Sequence, residues 1–245
     1  MVHRNRIIEY LDERLAVDQF QDYGPNGLQV EGKEKINTAV TAVSASLELF
    51  EKAADLNADL IIVHHGILWD RDERVIKNNF KRRLKTLFEH EISLLAYHLP
   101  LDKHPDIGNN AIAAKQLGIT NLEELGTVGL AGHIDLSIEE LTKKIKQVFQ
   151  VNPLIFSYGP DQIKKIGFCS GGAAKDLTLA IKAGLDAFIT GEASEPAMHL
   201  AKEENIHFIA AGHYATERFG IQALGKELER KFNITVHFID IPNPV

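Results

Sequence analysis

Apolar and polar positions follow one another along the chain in an order that predicts alternating strands and helices. A short apolar run, an amphipathic segment with helical spacing and a second apolar run occur together twice. The six segments are residues 39–44, 46–56 and 60–63 in the first copy, and residues 166–170, 175–183 and 187–190 in the second. Each copy is typical of a strand–helix–strand unit with parallel strands. The pattern therefore predicts an α/β protein.

The two copies can be aligned with each other. Residues 57–65 match residues 183–191 with a one-residue gap that pairs Asp59 with Asp186 and places Glu192 opposite His65. After each copy, a further predicted strand runs into a histidine that is followed four positions later by an acid. A weak internal duplication of this kind predicts two similar α/β lobes, with mixed sheets flanked by helices and a metal site in the cleft between them.

The predicted boundary divides the chain into a first lobe of residues 1–125 and a second lobe of residues 126–245. Ser137 and Glu140 then form the Ser-x-x-Glu pattern of a capping box, which predicts that a helix begins there. Residues 235–241 alternate as a strand, and this strand is a candidate to return to the first lobe.

Composition adds limits on location and partners. The 245 residues are 44% hydrophobic and 25% charged, which is ordinary for a globular protein. A net charge of −7 gives no general attraction to phosphate backbones or anionic membranes, so nucleic acid is an unexpected partner. No run approaches the ~18 apolar residues of a membrane span, and the first residues are amphipathic and unlike a signal peptide. We expect a cytoplasmic protein.

The only cysteine, Cys169, excludes an internal disulfide. It lies in an apolar stretch, where a buried small hydrophobe is a better interpretation than a catalytic thiol. The Gly171-Gly172 pair follows the same predicted strand. It lacks both the Gly-x-Gly-x-x-Gly and the Walker patterns, so a tight strand-to-helix connection is favoured over a phosphate-binding turn.

Four predicted strands end at side chains that can bind metal ions. Ligands of open α/β sheets collect beyond the carboxyl ends of the strands, so these side chains are expected to converge. They are His64, His65, His98, Asp102, Glu192, His213 and Glu217. A single histidine at a strand end is more often a hydrogen-bonded core residue. Adjacent histidines are harder to explain in this way, because neighbouring side chains of a strand point to opposite sides. Two metal ions, one for each histidine, would account for both.

The pair His213 and Glu217 can reach one site if a helix begins near Tyr214. The alternative is an N-cap histidine with a glutamate in the first helical turn, where the helix dipole favours an acid. His98 and Asp102 have the same spacing, but Pro100 argues against a regular helix between them. We therefore expect that pair to converge through a loop.

We predict five metal ligands, with the two carboxylates bridging or shared: His64, His65, Asp102, His213 and Glu217. His98 and Glu192 are either further ligands or residues that support the ligands and face a substrate. Imidazole and carboxylate without thiolate suit two divalent ions, and this donor set does not distinguish Zn²⁺, Mn²⁺, Fe²⁺, Co²⁺ and Ni²⁺.

Several motifs together resemble the NIF-three-like family of dinuclear-metal proteins, which includes bacterial members named GTP cyclohydrolase type 2 homologues. The motifs are His64-His65-Gly66, residues 98–102, 190–192 and 212–217, and also residues 25–30, 108–110 and 239–244. The resemblance implies a two-lobed α/β subunit and a homohexameric toroid with metal pairs facing its inner cavity. It also implies ligation by the same five residues. The chain is too short for the inserted domain that some family members carry.

Two hypotheses of function follow. The first is a metal-dependent hydrolase, in which the ion pair lowers the pKa of a bound water and polarises GTP or another nucleotide-like small molecule. Glu192 or His98 would then act as general base or acid. The second is a non-enzymatic metal carrier or toroidal scaffold that binds a protein or nucleic-acid partner. The net negative charge argues against DNA, because phosphate neutralisation needs clustered lysine or arginine.

Overall fold

The computed structural model describes all residues from Met1 to Val245, which form 13 strands and 10 α-helices. The strands are β1 (Val2–His3), β2 (Gly27–Val30), β3 (Lys35–Ile36), β4 (Thr38–Ser44), β5 (Leu60–His65), β6 (Ser93–Ala96), β7 (Thr120–Leu125), β8 (Gly129–Ser137), β9 (Leu154–Phe156), β10 (Gln162–Phe168), β11 (Ala187–Thr190), β12 (His207–Ala210) and β13 (Thr235–Phe238). The helices are α1 (Arg4–Arg14), α2 (Leu47–Asp55), α3 (Asn78–Glu89), α4 (Leu99–Lys103), α5 (Asn109–Leu117), α6 (Ile138–Phe149), α7 (Leu177–Lys182), α8 (Glu195–Glu203), α9 (His213–Thr216) and α10 (Arg218–Phe232).

The chain divides into two compact units. Unit 1 is formed by Met1–Leu101 and Gly220–Ile241, and unit 2 by Asp102–Phe219 and Pro242–Val245. The predicted boundary at residues 125/126 falls in the connection between the antiparallel strands β7 and β8 of unit 2. The C-terminal strand β13 pairs in parallel with β4 of unit 1.

Unit 1 contains a five-stranded sheet in the order β13-β4-β5-β6-β2, in which only β2 is antiparallel to its neighbour. Five positions in each of β4 and β5 are buried, as expected when both faces of a parallel sheet are covered. Helix α2 begins where the Ser46 hydroxyl accepts a hydrogen bond from the Leu49 backbone at 3.1 Å. Its buried face, Leu49, Phe50 and Ala53, joins the core of this unit.

Unit 2 contains a six-stranded mixed sheet in the order β7-β8-β10-β11-β12-β9, with β10, β11 and β12 parallel. The predicted capping box at the start of α6 is confirmed. Ser137 accepts from the Glu140 backbone, and the Glu140 carboxylate accepts from the Ser137 backbone. Leu141, Ile145 and Phe149 of this helix are buried in the core. The predicted α/β class, with mixed sheets and flanking helices, is confirmed.

One local prediction is wrong. Helix α4 spans Leu99–Lys103 and includes Pro100, where a loop was expected. Pro100 lies in the first helical turn, whose N–H groups have no partner within the helix, so the missing proline N–H costs little there. None of the helices combines the length and the apolar character needed to cross a membrane.

Candidate metal centre

Three histidines of unit 1 lie together where β5 and β6 end. His64 is buried and His65 is half-buried at the end of β5, and His98 follows β6. The ligand-capable nitrogens of the three rings lie within 4.8 Å of one another. Adjacent side chains of a strand start in opposite directions, yet the ring centroids of His64 and His65 are 4.6 Å apart. Strand alternation fixes only the Cα–Cβ direction, and rotation about the side-chain torsions brings the rings together.

Hydrogen bonds orient the first two rings. His64 Nδ1 donates to the carbonyl of Tyr97 at 3.0 Å, which leaves Nε2 as the nitrogen with the lone pair. His65 Nδ1 lies 2.9 Å from the Ser44 hydroxyl. These two contacts fix the orientation of both rings, and a backbone carbonyl is a common partner of imidazoles that bind metal ions.

His98 is held by Asp22, which no sequence motif predicted, and by Asn26, which lies in the 25–30 motif. Its Nδ1 lies 2.7 Å from Asp22 Oδ1, and its backbone N–H donates to Asn26 at 2.7 Å. Burial raises the pKa of Asp22, but hydrogen bonding to His98 and the charge of His98 outweigh burial and bring this pKa to about 2. Asp22 lies 76 positions before His98, so no short sequence spacing could have linked them.

In unit 2, Asp102 is fixed by neutral donors. It is 4% exposed, and its Oδ1 accepts from the Asn109 amide at 2.8 Å and from the Ser170 hydroxyl at 3.0 Å. Asn110 accepts from the Ser170 backbone at 2.8 Å and so holds the serine in place. Ser170 lies 68 positions from Asp102, so no short sequence spacing predicts this contact. Burial of three polar side chains around one carboxylate is a feature that only the fold creates.

His213 and Glu217 also come together in unit 2. Helix α9 begins at His213, one residue before the predicted start, and His213 Nε2 lies 3.0 Å from Glu217 Oε2. His213 Nδ1 lies 2.5 Å from Glu192 Oε1. Burial lowers the pKa of His213, but the two carboxylates, Glu217 more than Glu192, raise it to about 9. A carboxylate oxygen of Asp102 lies within 4.8 Å of one of Glu217.

Two glycines make room for this arrangement. At Gly171, where φ is +67°, a Cβ would collide with the Glu217 carboxylate and lie 3.1 Å from His213 Nε2. At Gly191, a Cβ would lie 2.6 Å from the Cα of His213. The Gly171 N–H donates to the Thr216 hydroxyl at 3.0 Å and is therefore engaged within the protein. This agrees with the interpretation of Gly171-Gly172 as a tight connection.

The chemistry of these donors fits divalent metal ions. Each unit carries imidazole nitrogens or carboxylate oxygens whose orientation is set by hydrogen bonds, and Cys169 does not add a thiolate. Its thiol is buried, and burial together with the charges of Asp102, Asp176 and Glu217 raises its pKa. Imidazole and carboxylate suit borderline ions of the first transition series.

Comparisons with known proteins agree with this description. The model of the family described as Duf34/NIF3 (NGG1p interacting factor 3) matches residues 2–244. Proteins named GTP cyclohydrolase 1 type 2 homolog are 46% identical over 245 residues in Vibrio cholerae and 44% identical over 243 residues in Haemophilus influenzae. These alignments cover 96% of this chain and 96% and 97% of the two relatives. A solved structure described as protein ybgI, of unknown function, is 42% identical over all of both chains with a TM-score of 0.96.

Proposed function

We propose that this chain holds two divalent metal ions and hydrolyses a nucleotide-like compound. The chain belongs to the Duf34/NIF3 family. The proposed ligands are His64, His65, Asp102, His213 and Glu217. The observation that carries the proposal is the short separation of two carboxylates, since oxygens of Asp102 and Glu217 lie within 4.8 Å of each other. Paired carboxylates of this kind can be shared by two ions. Relatives named GTP cyclohydrolase 1 type 2 homolog make GTP the first compound to test.

The hydrogen bonds around the donors support a site that is organised before an ion binds. Asp102 is oriented by Ser170 and Asn109, and His64 by the carbonyl of Tyr97. Such partners fix the ring tautomer and the carboxylate direction, and their loss typically lowers metal affinity by about 10–100-fold. Two bound ions supply Lewis acidity to the reacting group and lower the pKa of water.

The remaining two candidates take different roles in this proposal. Glu192 lies at His213 Nδ1, so we assign it to positioning that imidazole. His98 lies beside His64 and His65, with ring centroids 5.1 and 5.6 Å away, and we assign it the proton transfers of the hydrolysis.

Metal content and turnover test the proposal together. Wild-type protein, loaded in turn with zinc, manganese, iron, cobalt and nickel, is expected to hold two ions per chain and to hydrolyse GTP or a related nucleotide. Asp102→Ala should lower turnover by at least about 100-fold, because losing a ligand costs more than losing a supporting hydrogen bond. Asp176→Ala is the matched control, since Asp176 is a partly buried acid of unit 2 outside the ligand set.

Trp69 offers a direct measurement of ion binding. It is the only tryptophan, and its ring lies 6.2 Å from His65 and 5.3 Å from His98. Cobalt binding should therefore quench the intrinsic fluorescence of the wild-type protein and have little effect on His65→Ala. No Asp102-dependent turnover with any metal would refute the hydrolase. If ions then also transfer to a chelator within minutes, the metal-carrier hypothesis replaces it.

The homohexameric ring that the resemblance implies is a separate proposal. Sedimentation velocity on the purified chain measures it directly, and a monomer or dimer at micromolar concentration would refute it.

A further inference from the structure

Asp22 is a buried acid that the proposed ligand set does not use. Its side chain is only 2% exposed. An aspartate is almost never buried in this way unless hydrogen-bond or charge partners surround its carboxylate. Oδ1 accepts from the Tyr23 backbone at 2.7 Å, and Oδ2 accepts from the Leu99 backbone and the Asn26 amide at 2.9 Å. The fourth partner is His98 Nδ1, 2.7 Å from Oδ1. The carboxylate is thus held from both oxygens and directed at one imidazole.

This contact determines which nitrogen of His98 carries the proton. An ionised carboxylate can only accept hydrogen bonds, so the nitrogen that faces it must be the donor. Nδ1 is therefore protonated, and in the neutral ring Nε2 keeps the lone pair. One ring nitrogen of His98 lies within 4.8 Å of a ring nitrogen of His64 and of His65. Asn26 holds the His98 backbone at the same time, so both the position and the tautomer of the ring are set by one loop.

We propose that Asp22 is a positioning residue that keeps His98 in the Nδ1-protonated tautomer, so that Nε2 can exchange protons with the substrate. The inference rests on the proposed function for its chemical consequence. In the hydrolysis, Nε2 accepts the proton that the attacking water loses, and later donates it to the leaving group. The negative charge of Asp22 stabilises the imidazolium between these two steps.

Asp22→Asn tests the tautomer directly. An amide has one oxygen where the carboxylate has two, and both carboxylate oxygens of Asp22 accept from a backbone N–H. His98 is the only partner that can change from donor to acceptor by moving its own proton. The amide nitrogen of the substituted side chain should therefore donate to Nδ1, and His98 should shift to the Nε2-protonated tautomer.

The measurement is a proton–nitrogen correlation spectrum of the imidazoles in the full chain, recorded at about pH 8.5, about two units above the unperturbed pKa of histidine. The protein is loaded with zinc, which is diamagnetic and has no redox chemistry. His98→Gln assigns the signals of His98 among the 11 histidines. Asp12→Asn is the matched control, because Asp12 accepts from the Tyr97 hydroxyl at 2.9 Å in the same unit. Its His98 signals should match those of wild type.

Wild type and Asp12→Asn with Nδ1 protonated, and Asp22→Asn with Nε2 protonated, would support the inference. An unchanged tautomer in folded Asp22→Asn, or an Nε2-protonated wild type, would overturn it. Where wild type turns over a substrate, Asp22→Asn should lower kcat by about 10–100-fold with little change in KM. A protein without hydrolase activity would refute the proposed function, whereas the spectrum alone would still decide whether Asp22 sets the tautomer.

Discussion

Units 1 and 2 use one local construction to start their central strands. An aspartate precedes β5 in unit 1 and β11 in unit 2, and each accepts from two consecutive backbone N–H groups of the neighbouring strand region at 2.8–3.1 Å. The donors are Asn37 and Thr38 for Asp59, and Lys164 and Lys165 for Asp186. The carbonyl of each aspartate accepts from the first residue of the next strand, Ser93 or His207. The pairing of Asp59 with Asp186 in the sequence thus has a structural counterpart.

The two units carry different residues at the fifth position after Asp59 and Asp186. Unit 1 has His64 there, whereas unit 2 has Gly191, at which a Cβ would lie 2.6 Å from the Cα of His213. Unit 1 therefore carries imidazoles at the end of β5. Unit 2 has no side chain at Gly191, directly after β11, and carries its imidazole at the start of α9, after the neighbouring strand β12. Strands that correspond in the two units therefore need not carry candidate metal ligands at corresponding positions. The room available for a side chain decides where such a ligand fits.

The largest effect is expected for Gly191→Ala, which tests whether unit 2 needs the space at the end of β11. The added methyl would meet the backbone of His213 and the carbonyl of Gly171, which cannot move as a side chain can. We expect a loss of about 3 kcal/mol in the free energy of unfolding, as for overpacking of a tight site. Urea denaturation measures it.

Gly184→Ala is the control for this loss. Gly184 has φ of +64° but no atom within 4 Å of an added Cβ, so its substitution tests backbone strain alone. We expect a loss of about 1 kcal/mol. Equal losses in the two variants would show that Gly191 is not needed to clear space for His213.

A smaller effect is expected for the two serines that contact candidate ligands, Ser170 beside Asp102 and Ser44 beside His65. Ser170→Ala removes a buried donor to Asp102, and we expect zinc affinity to fall about 10-fold. Ser44→Ala removes an exposed partner of His65, where water can replace the hydroxyl, so the fall should be about 2-fold. Competition with a chromogenic chelator measures both affinities. A larger loss for Ser44→Ala would reverse the proposed order of importance.

The smallest effect concerns Asp59, the aspartate of unit 1 that corresponds to Asp186 of unit 2. Burial raises the pKa of Asp59, but hydrogen bonds from Asn37, Thr38 and Lys33 outweigh burial and lower it below 3.8. A pKa lowered by folding stabilises the protein above the unfolded value, and this contribution disappears as the pH falls through the folded value.

Asp59→Asn should therefore cost about 1 kcal/mol at neutral pH, and the cost should shrink below about pH 4. Thermal unfolding of wild type and variant from neutral pH down to about pH 3 measures the difference. A cost that stays constant with pH would mean that the charge of Asp59 contributes nothing.

Sequence reasoning succeeded where a pattern is local. The capping box at Ser137 and the His213–Glu217 pair depend on residues three or four apart, and both have the expected geometry. It failed at Pro100, because a proline in the first helical turn gives the same sequence signal as a proline in a loop. It also missed Asp22, whose partner lies 76 residues away.

The sequence by itself determined the α/β class, the family resemblance and the residue types able to bind metal, because periodicity and short motifs are properties of neighbouring positions. Only the tertiary structure decided which hydrogen-bond partners orient the candidate ligand side chains. Ser170 and Asn109 contact Asp102, Glu192 contacts His213, and Asp22 contacts His98. The physical reason is that a buried polar group must find a partner, and the fold, not the order of residues along the chain, determines which partner is within reach.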